Sequence, residues 1–124
     1  MKVDYIEKGR GHTVILLHST AAGNRQWKKL IELLSEDYHL IAPNLFGYGE
    51  TDSWTGQKSQ TLEDQAEIIR QFVPLDGSKF SLVGHSFGGS VAMMAAKLFK
   101  PQIDKLILIA VSYTHLRAHE TEEN

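Results

Sequence analysis

The feature that most constrains this chain is an alternation between short apolar runs and longer stretches with helical spacing. Apolar runs at residues 13–17, 39–42, 80–83 and 105–110 are too short for buried helices, and their continuity is typical of strands covered on both faces. Residues 3–7 predict a further short edge strand. The predicted fold class is therefore α/β, with a mostly parallel central sheet and flanking helices.

The intervening stretches carry signals for the start and end of helices. Asn24 is a candidate N-cap for the first helix, and apolar side chains then recur three and four positions apart. Thr61 and Asp64 form a capping-box pattern at the start of a second helix, which Pro74 ends. Residues 44–60 have three glycines and no periodicity, which predicts a loop.

Size, charge and composition exclude several classes of protein. A length of 124 residues fits one domain or part of one. The 13 basic and 15 acidic residues leave no positive field for nucleic acid or a membrane surface, and no apolar run approaches the roughly 20 residues that span a bilayer. The absence of cysteine excludes a disulfide framework, a zinc–thiolate site and a cysteine nucleophile, and it fits a cytoplasmic location.

The segment that carries chemistry is the sequence G-H-S-F-G at residues 84–88. It follows a predicted strand and precedes a predicted helix, as the G-x-S-x-G nucleophile elbow requires. A serine on this strained turn projects its hydroxyl from the sheet edge, and Gly84 and Gly88 let the backbone pass closely. The helix N-terminus at Ser86 favours negative charge developing on a substrate oxygen. We therefore predict that Ser86 is a nucleophile rather than part of a structural glycine turn.

This order of motifs resembles the α/β-hydrolase superfamily, in its serine-nucleophile branch. Residues 16–20 stand where that family has a strand ending in His-Gly, residues 44–49 look like its aspartate-arginine-x-glycine-x-glycine loop, and residues 84–89 look like its elbow. The resemblance covers residues 1–110, which we interpret as a partial α/β-hydrolase core.

The resemblance also implies roles for individual residues. The backbone N–H groups of Thr20 and Phe87 would form the oxyanion hole, and His18 would brace the loop that carries Thr20. His85 is expected to support the elbow by packing and hydrogen bonding, together with Gly84 and Gly88. The chain departs from the family pattern where Ser19, Asn44 and Phe46 replace the usual glycine, aspartate and arginine. No cofactor or metal is expected.

Aromatic side chains on the loop near this sheet edge leave two interpretations open. Phe46, Tyr48 and Trp54 line an acyl pocket in one interpretation and pack the loop in the other. Trp27 is expected in the core.

The acid and histidine that activate such a serine follow it in the family, but only 38 residues follow Ser86. Asp104 begins a predicted strand and lies about 20 Å from the edge where the serine emerges. His115 and His119 follow that strand, with no structured element to hold them. We therefore expect the N-terminal part of a hydrolase. Residues 111–124 are interpreted as a polar tail outside the fold, similar to a translated adapter remnant.

Two functions follow from these expectations. The first is the N-terminal portion of a serine hydrolase that cleaves an ester, thioester or related acyl bond of a small molecule through an acyl-enzyme. A serine at position 86 disfavours the branches that use aspartate there, such as epoxide hydrolases and haloalkane dehalogenases. The second is a non-catalytic module that binds a small molecule or a partner. In either case the 124-residue chain is expected to be inactive by itself.

Overall fold

The computed structural model describes residues 1–56 and 58–111, and within them a single sheet is flanked by helices. Its strands are β1 (Tyr5–Lys8), β2 (His12–Leu17), β3 (Tyr38–Pro43), β4 (Phe80–His85) and β5 (Ile103–Ile109). Its α-helices are α1 (Lys28–Leu34), α2 (Leu62–Glu67) and α3 (Phe87–Leu98). Short 3-10 turns cover Asn24–Trp27, Ile68–Phe72 and Lys100–Gln102.

The strands are ordered β1-β3-β2-β4-β5 across the sheet. Only β1, on one edge, runs antiparallel to its neighbour among these strands; the other pairs are parallel. The register places Leu17 opposite Gly84 and His85 opposite Ile109. The carboxyl ends of β2, β4 and β5 therefore lie side by side at one edge, the carboxyl edge. The predicted α/β fold class is confirmed.

Alternate residues of the central strands point to opposite faces, so two apolar clusters form. One face packs against α2 and α3, and its buried members from the strands are Ile15, Leu17, Ile41, Phe80 and Leu82. The other face packs against α1 and the turn before it, with Leu16, Leu40, Ala42, Val83, Trp27 and Ile31 buried. Burial on both faces explains why these strands read as continuous apolar runs rather than alternating ones.

The predicted helix starts had different outcomes. The capping box is confirmed: the Thr61 hydroxyl accepts a hydrogen bond from the Asp64 amide, and the Asp64 carboxylate accepts one from the Thr61 amide. The N-cap prediction for Asn24 was wrong. The chain enters a 3-10 turn capped by Gly23, and the Asn24 side chain instead donates to the Ala42 carbonyl at 2.8 Å. Tertiary bonding to β3 thus takes the polar group that a cap would have used.

The last strand exists as predicted, but it is not buried. Leu106, Ile107, Leu108 and Ile109 are between 38% and 49% exposed, and β5 forms the edge of the sheet in the described residues. A continuous apolar run is typical of a strand covered on both faces, and long apolar edge strands of this kind are usually avoided because they promote aggregation.

Some predictions fall outside the described residues. Of the predicted polar tail, residues 111–124, the described residues include only Val111. His115 and His119 also lie outside the described residues, so the interpretation of the tail and of these histidines remains a prediction. Within the described part of the chain, no helix is long and apolar enough to cross a membrane.

Candidate active site

The turn between β4 and α3 holds Ser86 in a conformation that an L-residue rarely adopts. Its φ and ψ are 55° and −117°, and its side chain is half-buried at the carboxyl edge. The Ser86 amide donates to the Ile109 carbonyl at 2.9 Å, and the Ser86 carbonyl accepts from the Gly89 amide at 2.9 Å. A non-glycine residue in such a region costs about 1–3 kcal/mol and persists only where its surroundings impose it.

The two glycines of the motif are required by close backbone contacts. A Cβ atom on Gly84 would overlap the Gly88 carbonyl, and one on Gly88 would overlap the carbonyl oxygens of Leu17 and His18. The start of α3 therefore packs directly against the end of β2, and no larger residue fits between them. We call residues 84–88 the elbow.

His18 follows β2 and is completely buried. Its Nε2 accepts a hydrogen bond from the Leu45 amide at 3.0 Å, so the ring proton must be on Nδ1, which donates to the Ser19 carbonyl at 2.8 Å. Burial lowers the pKa of His18, and the hydrogen bond to Ser19 opposes this shift in part. With both ring nitrogens engaged, His18 acts as a brace for the segment that follows β2, and it is not placed to exchange protons with Ser86.

Residues 18–20, which we call the β2 loop, include one backbone N–H with no hydrogen-bond acceptor in the described residues. The Ser19 amide donates to Gln26 Oε1 at 2.7 Å, and the Thr20 carbonyl accepts from the Tyr48 hydroxyl at 2.6 Å. The Thr20 amide donates no hydrogen bond within residues 1–56 and 58–111, and Thr20 is exposed. Its N–H shares a peptide unit with the Ser19 carbonyl, to which His18 donates, and that bond polarises the unit.

The structure brings the β2 loop and the elbow together, because β2 and β4 are neighbours in register. Phe87 is the first residue of α3, is only 8% exposed, and belongs to the core cluster between the sheet, α2 and α3. His85 ends β4, and its Nδ1 accepts a hydrogen bond from Gln26 Nε2 at 3.0 Å. The predicted site residues thus share one edge of the sheet: Ser86, Thr20, Phe87, His18, Gly84, His85 and Gly88.

Tyr48 and Gln26 make contacts at the carboxyl edge that the sequence did not predict. Tyr48 packs edge-on against the His18 ring, with centroids 4.5 Å apart, in addition to its bond to Thr20. Burial raises the pKa of Tyr48, so its hydroxyl remains a donor. Gln26 lies in a polar stretch without a motif, and no local signal identifies it. Tyr48 and Gln26 contact residues that lie 7 to 59 positions away in the sequence.

The loop that follows β3 is held mainly by Asn44, where the family pattern has aspartate. Its side chain is buried, accepts from the Asn24 amide at 2.8 Å and donates to Asp4 at 3.0 Å. Farther along, Phe46 and Trp54 stack edge to face at 5.3 Å and help to line a cavity of about 370 Å³. The rings of Phe46 and Trp54 therefore pack against each other, whereas Tyr48 packs against the β2 loop. Among the described residues, those that line this cavity include none of the β2 loop or the elbow, so the acyl pocket remains a prediction.

A second group of serine, histidine and aspartate lies at the amino ends of β2, β4 and β5, which we call the amino edge. His12 Nε2 is 2.8 Å from Ser81 Oγ and 3.5 Å from Asp104 Oδ2, beside a groove of about 450 Å³. A catalytic triad needs the serine and the carboxylate on different ring nitrogens, so that one orients the ring while the other exchanges the proton. Here both approach the same nitrogen, which rules out that relay.

The described residues provide no base for Ser86. Within residues 1–56 and 58–111, no histidine or carboxylate hydrogen-bonds to the Ser86 hydroxyl, and Asp104 lies at the amino end of β5 as predicted. No group of three or more histidine, aspartate or glutamate side chains in the same residues is arranged to hold a metal ion.

Comparisons with known proteins give a consistent result. A family model described as the alpha/beta hydrolase fold matches residues 12–124. The human serine hydrolase-like protein is 32% identical over 114 residues, which is 91% of this chain and 56% of that protein. The chain spans about a third to a half of the length of the curated relatives it matches.

Solved structures agree with the sequence comparison. An epoxide hydrolase from Bacillus megaterium superposes with a TM-score of 0.80 at 30% identity, covering 98% of this chain and 44% of that one. A thermophilic esterase from Thermogutta terrifontis superposes with a TM-score of 0.76 at 28% identity, covering 86% and 39% of the two chains.

Proposed function

The chain belongs to the α/β-hydrolase fold family, and from this we propose that the full-length protein containing it is a serine hydrolase. Its substrate would be a small molecule with an ester, thioester or related acyl bond, and Ser86 would carry the acyl group between the two half-reactions. The observation that supports this most strongly is the strained backbone of Ser86, between two glycines that admit no side chain, at the start of α3.

The chemistry assigns a role to each part of the carboxyl edge. Ser86 Oγ attacks the acyl carbon while its proton passes to a base, and the leaving group then departs with a proton. The developing negative charge on the carbonyl oxygen is stabilised by the N–H groups of Thr20 and Phe87 and by the positive end of the α3 dipole. Water then cleaves the acyl-serine ester and regenerates the hydroxyl.

Acyl transfer fits a serine better than epoxide opening, although an epoxide hydrolase is among the structural relatives. Attack of a serine oxygen on an epoxide carbon would leave an alkyl ether, which water does not cleave under mild conditions. Attack on an acyl carbon leaves an ester, which water does cleave. Ser86 at the elbow therefore supports esters and thioesters as substrates.

The base and its carboxylate partner would come from outside the described residues. We propose that neither His115 nor His119 serves as this base. Because a serine hydroxyl remains protonated at neutral pH without a base, the 124-residue chain alone would then show negligible turnover. Measurable hydrolysis of an activated ester by this chain, abolished in Ser86→Ala, would contradict this part of the proposal and direct attention to His115 and His119.

The proposal is tested by labelling the full-length protein with a fluorophosphonate probe and locating the modified peptide by mass spectrometry. We expect modification of Ser86, none in Ser86→Ala, and normal modification in Ser81→Ala, the matched serine of the opposite edge. An unmodified Ser86 in a folded protein would support the alternative, a module that binds a small molecule or partner without turnover.

A further inference from the structure

One side chain connects the β2 loop to the elbow. Gln26 Oε1 accepts the Ser19 N–H at 2.7 Å, and Gln26 Nε2 donates to His85 Nδ1 at 3.0 Å. Ser19 directly precedes Thr20, and His85 directly precedes Ser86. The two hydrogen bonds therefore join the two segments that carry the proposed oxyanion donors and the nucleophile.

The orientation of this amide follows from its partners. The Ser19 N–H is only a donor, so the Gln26 oxygen must face it, and the NH₂ group must then face His85. His85 Nδ1 accordingly acts as an acceptor, and in the neutral ring the proton is on Nε2. An amide suits this position because it offers one acceptor and one donor, whereas a carboxylate offers two acceptors.

The amide is carried by a firmly attached segment. Gln26 belongs to the 3-10 turn Asn24–Trp27, in which Asn24 is bonded to both Asn44 and Ala42 at the end of β3. Trp27, the next residue, is only 5% exposed in the core. Gln26 is thus held from β3 while it contacts the ends of β2 and β4, and it relates three strand ends to one another.

The bond to Ser19 also decides which amide of the β2 loop remains available. With the Ser19 N–H bonded to Gln26, the Thr20 N–H is the donor presented at this edge, as the proposed mechanism requires. Loss of Gln26 would release the Ser19 amide and loosen the loop on which Thr20 lies. Oxyanion donors must be held rigidly, because their contribution depends on preorganisation.

We propose that Gln26 is a positioning residue, which holds the β2 loop against the elbow and keeps His85 in its Nε2–H form. This inference rests on the proposed function of Ser86. Gln26 does not touch substrate in this role. Its contribution would therefore appear in kcat, through the geometry of the transition state, more than in KM.

The test uses the full-length protein with an activated ester as substrate. In Gln26→Leu we expect kcat to fall about 10- to 100-fold, with KM changed less than about 3-fold. This loss is smaller than the roughly 10²- to 10³-fold loss on removing an oxyanion-hole donor itself, because the Thr20 N–H is still present. The matched control is Gln102→Leu, because Gln102 likewise makes two hydrogen bonds, to the carbonyls of Pro74 and Ser78 near the other edge. Its kcat should remain within about 2-fold of wild type.

A second variant provides a readout independent of turnover. Gln26→Glu retains an acceptor for the Ser19 N–H but cannot donate to His85, so we expect the His85 proton to move to Nδ1. Nitrogen-15 chemical shifts of the His85 ring report this change directly, including when Gln26→Leu fails to fold. An unchanged ring, or a Gln26→Leu variant with wild-type kcat, would overturn the inference.

The two proposals fail in different ways. A folded protein with no label on Ser86 and no acyl turnover would overturn the proposed function and, with it, the catalytic meaning of the Gln26 contacts. A protein labelled at Ser86 whose kcat is insensitive to Gln26 would overturn the positioning role alone.

Discussion

The carboxyl edge and the amino edge, at the two ends of the parallel strands β2 to β5, contain similar side chains in different backbone settings. At the carboxyl edge, Ser86 has φ of 55° at the start of a 12-residue helix. It lies next to the β2 loop, in which the Ser19 amide donates to Gln26. At the amino edge, Ser81 lies within β4, 5% exposed, and hydrogen-bonds to His12. The amino edge has the more familiar set of residue types, with serine, histidine and aspartate in contact.

The difference shows that backbone placement distinguishes a candidate site from a chance cluster. Ser81 lies inside β4, where the pairing register with β5 shifts between Phe80 and Leu82, and it shares one nitrogen of His12 with Asp104. Ser86 lacks a histidine partner in the described residues, yet its backbone and glycine neighbours are those that a nucleophile requires. Residue identity is the weaker criterion of the two, and mutations at the two edges measure how much weaker.

The largest expected effect comes from removing each serine hydroxyl in turn. In the full-length protein, Ser86→Ala should lower kcat/KM for an activated ester by about 10³-fold or more, as expected for a lost nucleophile. Ser81→Ala should change kcat/KM by less than about 3-fold, because the Ser81 hydroxyl bonds to His12 at the end of the strands opposite to Ser86. Steady-state kinetics with equal protein concentrations measure both. Similar losses in the two variants would remove the distinction between the edges.

The next effect concerns the close backbone contact behind Ser86. Gly88→Ala should lower the free energy of unfolding by about 3 kcal/mol, because the new methyl group overlaps the carbonyls of Leu17 and His18. Gly77→Ala is the control: it has φ of +82° but no atom within 4 Å of the added carbon, so we expect about 1 kcal/mol. Urea denaturation compares them, and equal losses would mean that the overlap at Gly88 is relieved by movement and costs no more than the backbone strain at Gly77.

A smaller effect is expected from the Tyr48 hydroxyl. Tyr48→Phe removes the 2.6 Å hydrogen bond to the Thr20 carbonyl but keeps the ring against His18. If a bond worth about 1 kcal/mol orients the proposed oxyanion donor Thr20, its loss corresponds to a fall in kcat of about 5- to 10-fold. Tyr38→Phe, on the exposed start of β3, serves as the control and should have wild-type kinetics. Wild-type kcat in Tyr48→Phe would show that Thr20 needs no such support.

The smallest effect is a pH dependence of stability caused by His18. Burial lowers its pKa in the folded state below the ordinary value of 6.5, so below pH 6.5 the unfolded chain binds a proton that the folded chain resists. The free energy of unfolding should therefore decrease as pH falls from about 7.5 to 5.5, and His18→Gln should flatten this slope. Chemical denaturation at several pH values measures it. Parallel slopes for the two proteins would show that His18 titrates normally.

The order of strands and helices was predictable because strands that are buried on both faces have continuous apolar sequences. Residues 13–17 and 80–83 read as buried strands from their apolar continuity alone, and the Thr61 capping box depends on groups three residues apart. Asn24 was assigned wrongly for the opposite reason. Its side chain has two possible uses, and the choice of Ala42 over a helix cap depends on where β3 lies.

Ser86 could be singled out from the sequence because its signal lies within five residues, between a strand and a helix. The glycines at positions 84 and 88 record contacts with the end of β2, although the sequence does not show which carbonyls they avoid. The neutral Nδ1–H form of His18 depends on Leu45, the orientation of the β2 loop depends on Gln26 and Tyr48, and the exposure of β5 depends on its place at the sheet edge. Hydrogen bonds of this kind join groups that are 7 to 59 positions apart, so no pattern of neighbouring residues can encode them, and only the packed chain brings the partners together.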